Sequence, residues 1–429
     1  MVLYPRLLRT TDITKGKINW DTVPFCKDKP KNVDKYLLKD NDIVISRAGS
    51  IGESYILKNV DKAVFASYLI RFTPKKEVNP DYIAYFLKSP LYWRQVKEAS
   101  LGIAIPNINA TKLSKFALPL PERPIQDKIV EEIETQFTQL DAGVAALKRA
   151  QANLKRYRAA VLKAACEGKL VPTEAELAKA EGRHYETGEQ LLQRILAERR
   201  AKWEEENKKK GGKKEYVEPK GPDVSSLPKL QEGWAWATVE QVAAIGSGNT
   251  PANIRKYLAR QGSIPWFKVG DMNHPMNLRY MQVADNYISR DASNILGLRI
   301  FPESTIIFPK RGGAIATNKK RILQSEATTD LNVMGLTANI NLVKYFWWWF
   351  SSLDLASFSD GSNVPQINHK DILPIPIPLP PLTEQIRIVE EVERQLSVVE
   401  KIEVDIGEKF GAAANLKKVI LSNVLSNQH

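Results

Sequence analysis

Two short stretches of this chain place cations beside glycines directly after an apolar run. Arg47-Ala48-Gly49-Ser50-Ile51-Gly52 follows Asp42-Ile43-Val44-Ile45, and Lys310-Arg311-Gly312-Gly313 follows Thr305-Ile306-Ile307-Phe308. The apolar runs read as strands, and glycine lets the backbone beyond them approach a partner closely. An arginine in such a turn can pair bidentately with a guanine edge, whereas a lysine more often holds a phosphate. Arg47, Ser50, Lys310 and Arg311 are therefore candidates for contact with nucleic acid. The loops 102–109 and 361–368 add amides, of which Asn107, Asn363 and Gln366 suit adenine, and Asn249, Thr250 and Lys268 are further candidates. Asn109 and Asn368 are read as turn braces instead. They are identical in the two loops, as a shared turn would require.

Other chemistry finds little support. The four histidines, at 184, 274, 369 and 429, are scattered without the spacing of metal ligands. Gly168-Lys169-Leu170 lacks the upstream glycine and the hydroxyl residue of a phosphate-binding loop. Asn79-Pro80-Asp81-Tyr82 is close to the Asn-Pro-Pro-Tyr motif of amino-methyltransferases, but Asp replaces the second proline and no glycine-rich cofactor loop precedes it. It reads as a helix start. Cys26 and Cys166 lie far apart, so neither a disulfide framework nor a cysteine metal site is expected, and the cytoplasm fits best. No apolar run has the length of a membrane span. The net charge of +13 on 429 residues favours a polyanionic partner.

The elements that position these residues are written twice. With Gly102 placed on Gly361, 14 of the 36 pairs from there to Phe137 on Leu396 are identical, among them Pro106/Pro365, Ile108/Ile367, Asn109/Asn368 and Gln126/Gln385. A period of 259 residues means two copies of a whole domain-plus-helix unit, since solenoid repeats are far shorter. After the proline-rich turn of each copy, apolar residues recur by threes and fours. In the first copy they are Val130, Ile133, Phe137, Leu140, Val144, Leu147, Leu154 and Val161, with Gln151 and Arg158 as polar interruptions. In the second they are Val389, Val392, Leu396, Val399, Ile406, Phe410, Ala413 and Ile420, interrupted by Glu403 and Lys417. Such seams specify coiled coils, each about 65 Å long, and an apolar stripe of that length must be covered. The nearest cover is the other copy, in antiparallel pairing. Thr383 is expected to cap the second helix, with Glu384 on its dipole.

The fold class expected is α/β: two globular domains separated by two long helices paired as an antiparallel coiled coil, an internal pseudo-twofold repeat. The first domain covers 1–120, shortened at its N-terminus because the segment matching 234–259 has no counterpart, and the first helix covers 121–170. Residues 171–227 read as a linker with a short helix at 188–206 and a basic run at 208–214. The second domain covers 228–380 and the second helix 381–429. The aromatic run Tyr345-Phe346-Trp347-Trp348-Trp349-Phe350 reads as core or as a partner surface rather than a stacking platform for bases.

The order Gly361, Pro365-Gln366-Ile367-Asn368, Pro378-Leu379-Pro380, Glu384-Gln385 and then a long helix, given twice, resembles the specificity subunits of type I restriction-modification systems. Gly233-Trp234, Gly246-Ser247-Gly248-Asn249-Thr250-Pro251 and Ile264-Pro265-Trp266-Phe267-Lys268-Val269-Gly270-Asp271 add to the likeness. The resemblance implies that each globular region is a target-recognition domain reading one half of a bipartite double-stranded DNA sequence, with the helices as spacers. It also implies methyltransferase subunits, two of them, using S-adenosylmethionine, and restriction subunits that use ATP and Mg, with no catalysis in this chain. A non-catalytic coiled-coil scaffold, or the specificity subunit of a related type II system, is the alternative.

Overall fold

A computed structural model of the chain describes residues 4–14, 16–28, 30, 32–100, 107–209, 211–212, 214–339 and 342–426. Residues 102–106 of the first loop and Lys210 and Lys213 of the basic run lie outside them. Two compact units result, one formed by Met1–Ala152 with Ile402–His429, the other by Asn153–Lys401.

In the first unit, β1 (Arg6–Leu8) pairs in parallel with β4 (Ala63–Phe65). β2 (Ile43–Ser46) runs antiparallel between β3 (Ser54–Ile56) and β5 (Leu69–Phe72). All four residues of β2 are buried, as befits the middle strand of a sheet covered on both faces. α1 (Pro80–Phe86) starts at Asn79, whose side chain accepts from the amides of Asp81 and Tyr82, with proline in the first turn. The Asn-Pro-Asp-Tyr stretch is thus a helix cap. α2 (Pro90–Ser100) and α3 (Ala110–Leu113) complete the domain.

In the second unit α4 (Glu174–Glu181) and α5 (Gly188–Lys209) precede the sheets. Its sheets are β15 (Pro376–Leu379) on β6 (Ala235–Thr238), a three-stranded β10-β8-β13, and a five-stranded β7-β14-β11-β12-β9. The three-stranded sheet comprises β8 (Ile264–Phe267), β10 (Tyr287–Ile288) and β13 (Thr328–Thr329). The larger comprises β7 (Ala243–Ser247), β9 (Tyr280–Met281), β11 (Ile306–Pro309), β12 (Arg321–Leu323) and β14 (Val333–Ala338). α6 (Val343–Ser352) carries the aromatic run, every member of which is buried, and α7 (His369–Ile372) follows. The segment expected as a linker contributes part of the core through one face of α5 and stays mostly exposed elsewhere. Leu191, Leu192 and Ile195 of α5 pack with the main cluster of this unit, and the Gly188 amide donates to the Gly233 carbonyl at 2.7 Å.

The long helices span Arg123–Cys166 and Leu382–Ser426. Thr383 therefore lies inside the first turn and is not the cap. Glu384 does stand in the first turn, as expected, and it is fully buried there, accepting from the Trp234 indole at 2.9 Å and the Glu174 amide at 2.8 Å. Burial raises its pKa. Its two donors fasten β6 and the start of α4 to the helix.

Both units contain an antiparallel helix pair. In the first, Ile129, Val130 and Ile133 share a cluster with Leu421 and Leu425, and Lys417 Nζ lies 2.7 Å from Asp141 Oδ1. In the second, Val161, Leu162 and Ala165 share one with Ile388, Val389, Val392 and Leu396, and Arg158 Nη2 lies 3.6 Å from Glu400 Oε1. A step of 259 residues carries one set onto the other: Ile129 onto Ile388, Leu162 onto Leu421, Asp141 onto Glu400, Arg158 onto Lys417. The repeat thus extends to individual ion pairs.

Candidate nucleic-acid interface

β2 and β11 end on the two basic glycine turns, and both turns are tied to the loop that precedes a short helix. The Ile108 amide donates to the Arg47 carbonyl at 3.1 Å, and the Ile367 amide to the Lys310 carbonyl at 2.9 Å. Gly49 and Gly312 sit at φ +78° and +74°, the left-handed region that favours glycine. Lys310 lies 263 residues after Arg47, while Ile367 lies 259 after Ile108. The register changes between them. Tyr345 is likewise 263 beyond Tyr82, and both put the phenol on the same carbonyl, Tyr82 on Pro119 at 2.6 Å and Tyr345 on Pro378 at 2.8 Å. The four-residue difference falls after these tyrosines, so the first residue of the buried aromatic run repeats Tyr82.

In the second unit, strand pairing gathers the candidates at one end of the large sheet. β7 finishes at Ser247, β11 at Pro309, and β14 begins at Val333, paired to Pro309. The segments leaving that end are bonded together: Gly248 amide to Val333 carbonyl at 3.0 Å, Lys310 amide to Asn332 carbonyl at 2.8 Å, and Leu331 amide to Thr250 Oγ1 at 3.0 Å. Asn249 donates its amide to the Thr329 carbonyl and accepts from the Thr250 amide with its side chain. A Cβ on Gly248 would lie 2.2 Å from the Asp330 carbonyl, so no other residue fits there. Lys268 follows β8, exposed, its ammonium 4.8 Å from the Trp266 ring centre and its neighbour Asp330 raised in pKa by burial. Arg311 bridges to Gln366, whose amide donates to Asn368 Oδ1 at 2.9 Å, and the Asn363 side chain is exposed on the same loop.

The first unit brings together Arg47, Ser50 and Asn107. Ser50 is exposed in the turn, whereas Arg47 Nε and Asn107 Oδ1 are buried without a hydrogen-bond partner among the described residues. Asn109 accepts from the Lys112 amide at 2.9 Å, and Asn368 takes part in a capping box with Asp371, so both asparagines brace short helices.

One candidate was missed by sequence reasoning. Arg9 lies 259 residues before Lys268, and each follows the strand that pairs in parallel with β4 or β13. Each also gives its amide to the aspartate three residues on, Arg9 to Asp12 at 2.9 Å and Lys268 to Asp271 at 2.6 Å. The signal was the alignment of Asp12 with Asp271.

A sequence profile of the type I restriction modification DNA specificity domain matches residues 6–153 and again 231–403. The chain belongs to this family. As a type I specificity subunit it carries two DNA-recognition domains. The StySPI specificity subunit of Salmonella potsdam is 31% identical over 173 residues, 39% of this chain and 37% of that one. The EcoKI specificity subunit of Escherichia coli K12 is 23% identical over 99% of this chain and 82% of that one. The fold is shared with the HsdS subunit from Thermoanaerobacter tengcongensis, TM-score 0.55 at 15% identity over 99% and 91% of the two chains. It is shared also with a chain solved in work on assembly and conformational transition of the type I system, TM-score 0.68 at 15% identity over 98% and 91%. Among the described residues no helix is long and apolar enough to cross a membrane, and no group of His, Cys, Asp and Glu could hold a metal ion.

Proposed function

We propose that each recognition domain, 1–120 and 228–380, reads one half of a bipartite duplex target, with the helices of 121–170 and 381–429 setting the gap. The observation that carries this reading is the repeated bond from a Pro-x-Ile-Asn loop to a basic turn, Ile108 to Arg47 and Ile367 to Lys310. A scaffold held constant around tips that differ is what two readers of different sequences require. In the first domain Arg47, Ser50 and Asn107 face the half-site, joined by Arg9. In the second, Asn249, Thr250, Lys268, Lys310, Arg311, Asn363 and Gln366 do so. Arginines and amides at the tips read base edges, and the remaining cations neutralise phosphates.

The chain recognises and assembles, while methylation and cleavage belong to subunits that dock on it. Methyltransferase subunits would bring S-adenosylmethionine, and restriction subunits ATP and Mg. The work is done in the cytoplasm. Arg47→Ala and Arg311→Ala test the division of labour on duplex libraries: each should relax specificity in a different half-site, by about 1–3 kcal/mol at the position read. A uniform loss over all sequences would make the residue a phosphate contact. Inserting a heptad in one long helix should lengthen the unspecific gap alone, and an altered half-site would refute the spacer role.

A further inference from the structure

Lys310 is held unlike any other cation of the interface. Its ammonium donates to Ser247 Oγ at 3.1 Å, and the same oxygen lies 3.1 Å from His369 Nε2. An ammonium has donors only, so Ser247 accepts from Lys310. The serine keeps one hydrogen and a second lone pair, so towards His369 Nε2 it donates when that nitrogen is bare and accepts when it carries the ring proton. Burial, and then the charges of Lys310 and Arg299, lower the pKa of His369, which favours the neutral ring. Ser247 closes β7, Lys310 leaves β11 and His369 opens α7, so three separate elements fix one ammonium.

A lysine contacting phosphate gains from a mobile stem that follows the charge. Lys310 is half-buried and tethered, beside the exposed Arg311. One of its three N–H groups is spent on Ser247, and two remain. A guanine edge in the major groove offers two acceptors, O6 and N7, and neither adenine nor cytosine offers that pair. We infer that Ser247 and His369 are positioning residues that make Lys310 a reader of guanine in the half-site of the second domain. This rests on the proposed role of Lys310 at the DNA interface and deepens it. The first domain has Ala110 where the second has His369, and its turn carries Arg47, whose planar fork needs no such tether.

The test selects the full chain against a randomised duplex library and sequences the bound fraction. Wild type should require guanine at one position that Lys310→Ala releases, a loss of roughly tenfold or more in discrimination. Ser247→Ala and His369→Ala should weaken preference at that same position, by about threefold or more, and leave every other position unchanged. Ser247→Thr keeps the hydroxyl and should retain the preference, which separates loss of the relay from loss of fold. If Lys310→Ala changes no position, the reading role itself falls. If it does, but Ser247→Ala and His369→Ala behave as wild type, only the relay is refuted. A position released by Lys310→Ala that is not guanine overturns the base assignment.

Discussion

The two recognition domains share a frame and differ at its tips. In both, a buried strand ends in a glycine turn bonded to the loop ahead of a short helix, and in both a buried tyrosine ties its helix to the proline turn before the spacer. Around that frame the first domain sets a three-stranded sheet and the second a five-stranded one that includes β7. What touches the spacer helices is repeated to the level of single hydrogen bonds: Gln126 Nε2 donates to the Pro121 carbonyl at 2.7 Å, and Gln385 Nε2 to that of Pro380 at 2.8 Å. Residues facing outward from the turns have no such constraint. The difference teaches that the tips can change without disturbing the frame that holds them.

The largest asymmetry is Glu384, whose counterpart in the first copy is the exposed Ile125. Removing it strands the Trp234 indole and the Glu174 amide inside the second unit, and each buried donor left unpaired costs about 1–3 kcal/mol. Glu384→Ala should therefore lower the stability of the second unit by roughly 3 kcal/mol. Hydrogen exchange read segment by segment should show the loss at 171–240 and none in the sheet around β2. Equal loosening of both units would mean that they do not unfold separately.

Tyr82 and Tyr345 sharpen the symmetric side of the comparison. If both are the same brace, Tyr82→Phe and Tyr345→Phe should each cost about 1 kcal/mol, seen as matched shifts in urea midpoint. A loss confined to one would show that the matching hydrogen bonds conceal different packing.

This brace also marks where the sequence was legible. The heptads of both spacers were readable because a period of three and four repeats over 40 residues needs no tertiary information, and the seam positions are the ones buried or half-buried in the structure. Asn79-Pro80 was readable as a helix start because capping is local. The change of register after Tyr82 was not, since only the carbonyls of Pro119 and Pro378 reveal which tyrosines correspond. Residues 171–227 passed for a linker because their polar composition hides where Leu191, Leu192 and Ile195 go. The start of α4 was locally signalled all the same: Thr173 and Glu176 form a capping box. The relay of Ser247, Lys310 and His369 joins residues 63 and 122 apart, beyond any local pattern.

The second domain should also be the more sensitive to mild acid. Its interface holds His369 neutral against Lys310 and Arg299, with the pKa lowered by burial first, whereas Ala110 stands at that place in the first. A base whose folded pKa lies below its unfolded value binds more protons when unfolded, so its contribution is present above about pH 6.5 and is lost as pH falls through the lower folded value. Exchange protection around β7 and β11 should decline in that window more steeply in wild type than in His369→Ala. Identical slopes would show that the imidazole does not titrate with unfolding.

The smallest effect tests the symmetry most closely. Lys417 on Asp141 and Arg158 on Glu400 are the same pair under the repeat, with lysine and arginine exchanged. Such partly exposed pairs are worth about 0.2–1 kcal/mol, since solvent screens them and long side chains must be ordered to form them. At 2.7 Å the lysine pair is in direct contact, while the arginine pair at 3.6 Å is looser. Double-mutant cycles to alanine should give coupling of the same sign in both units, larger for Asp141 with Lys417, and falling in each as salt is raised. A coupling present in one unit and zero in the other would mean that the repeat preserves the positions of these charges without preserving what they do.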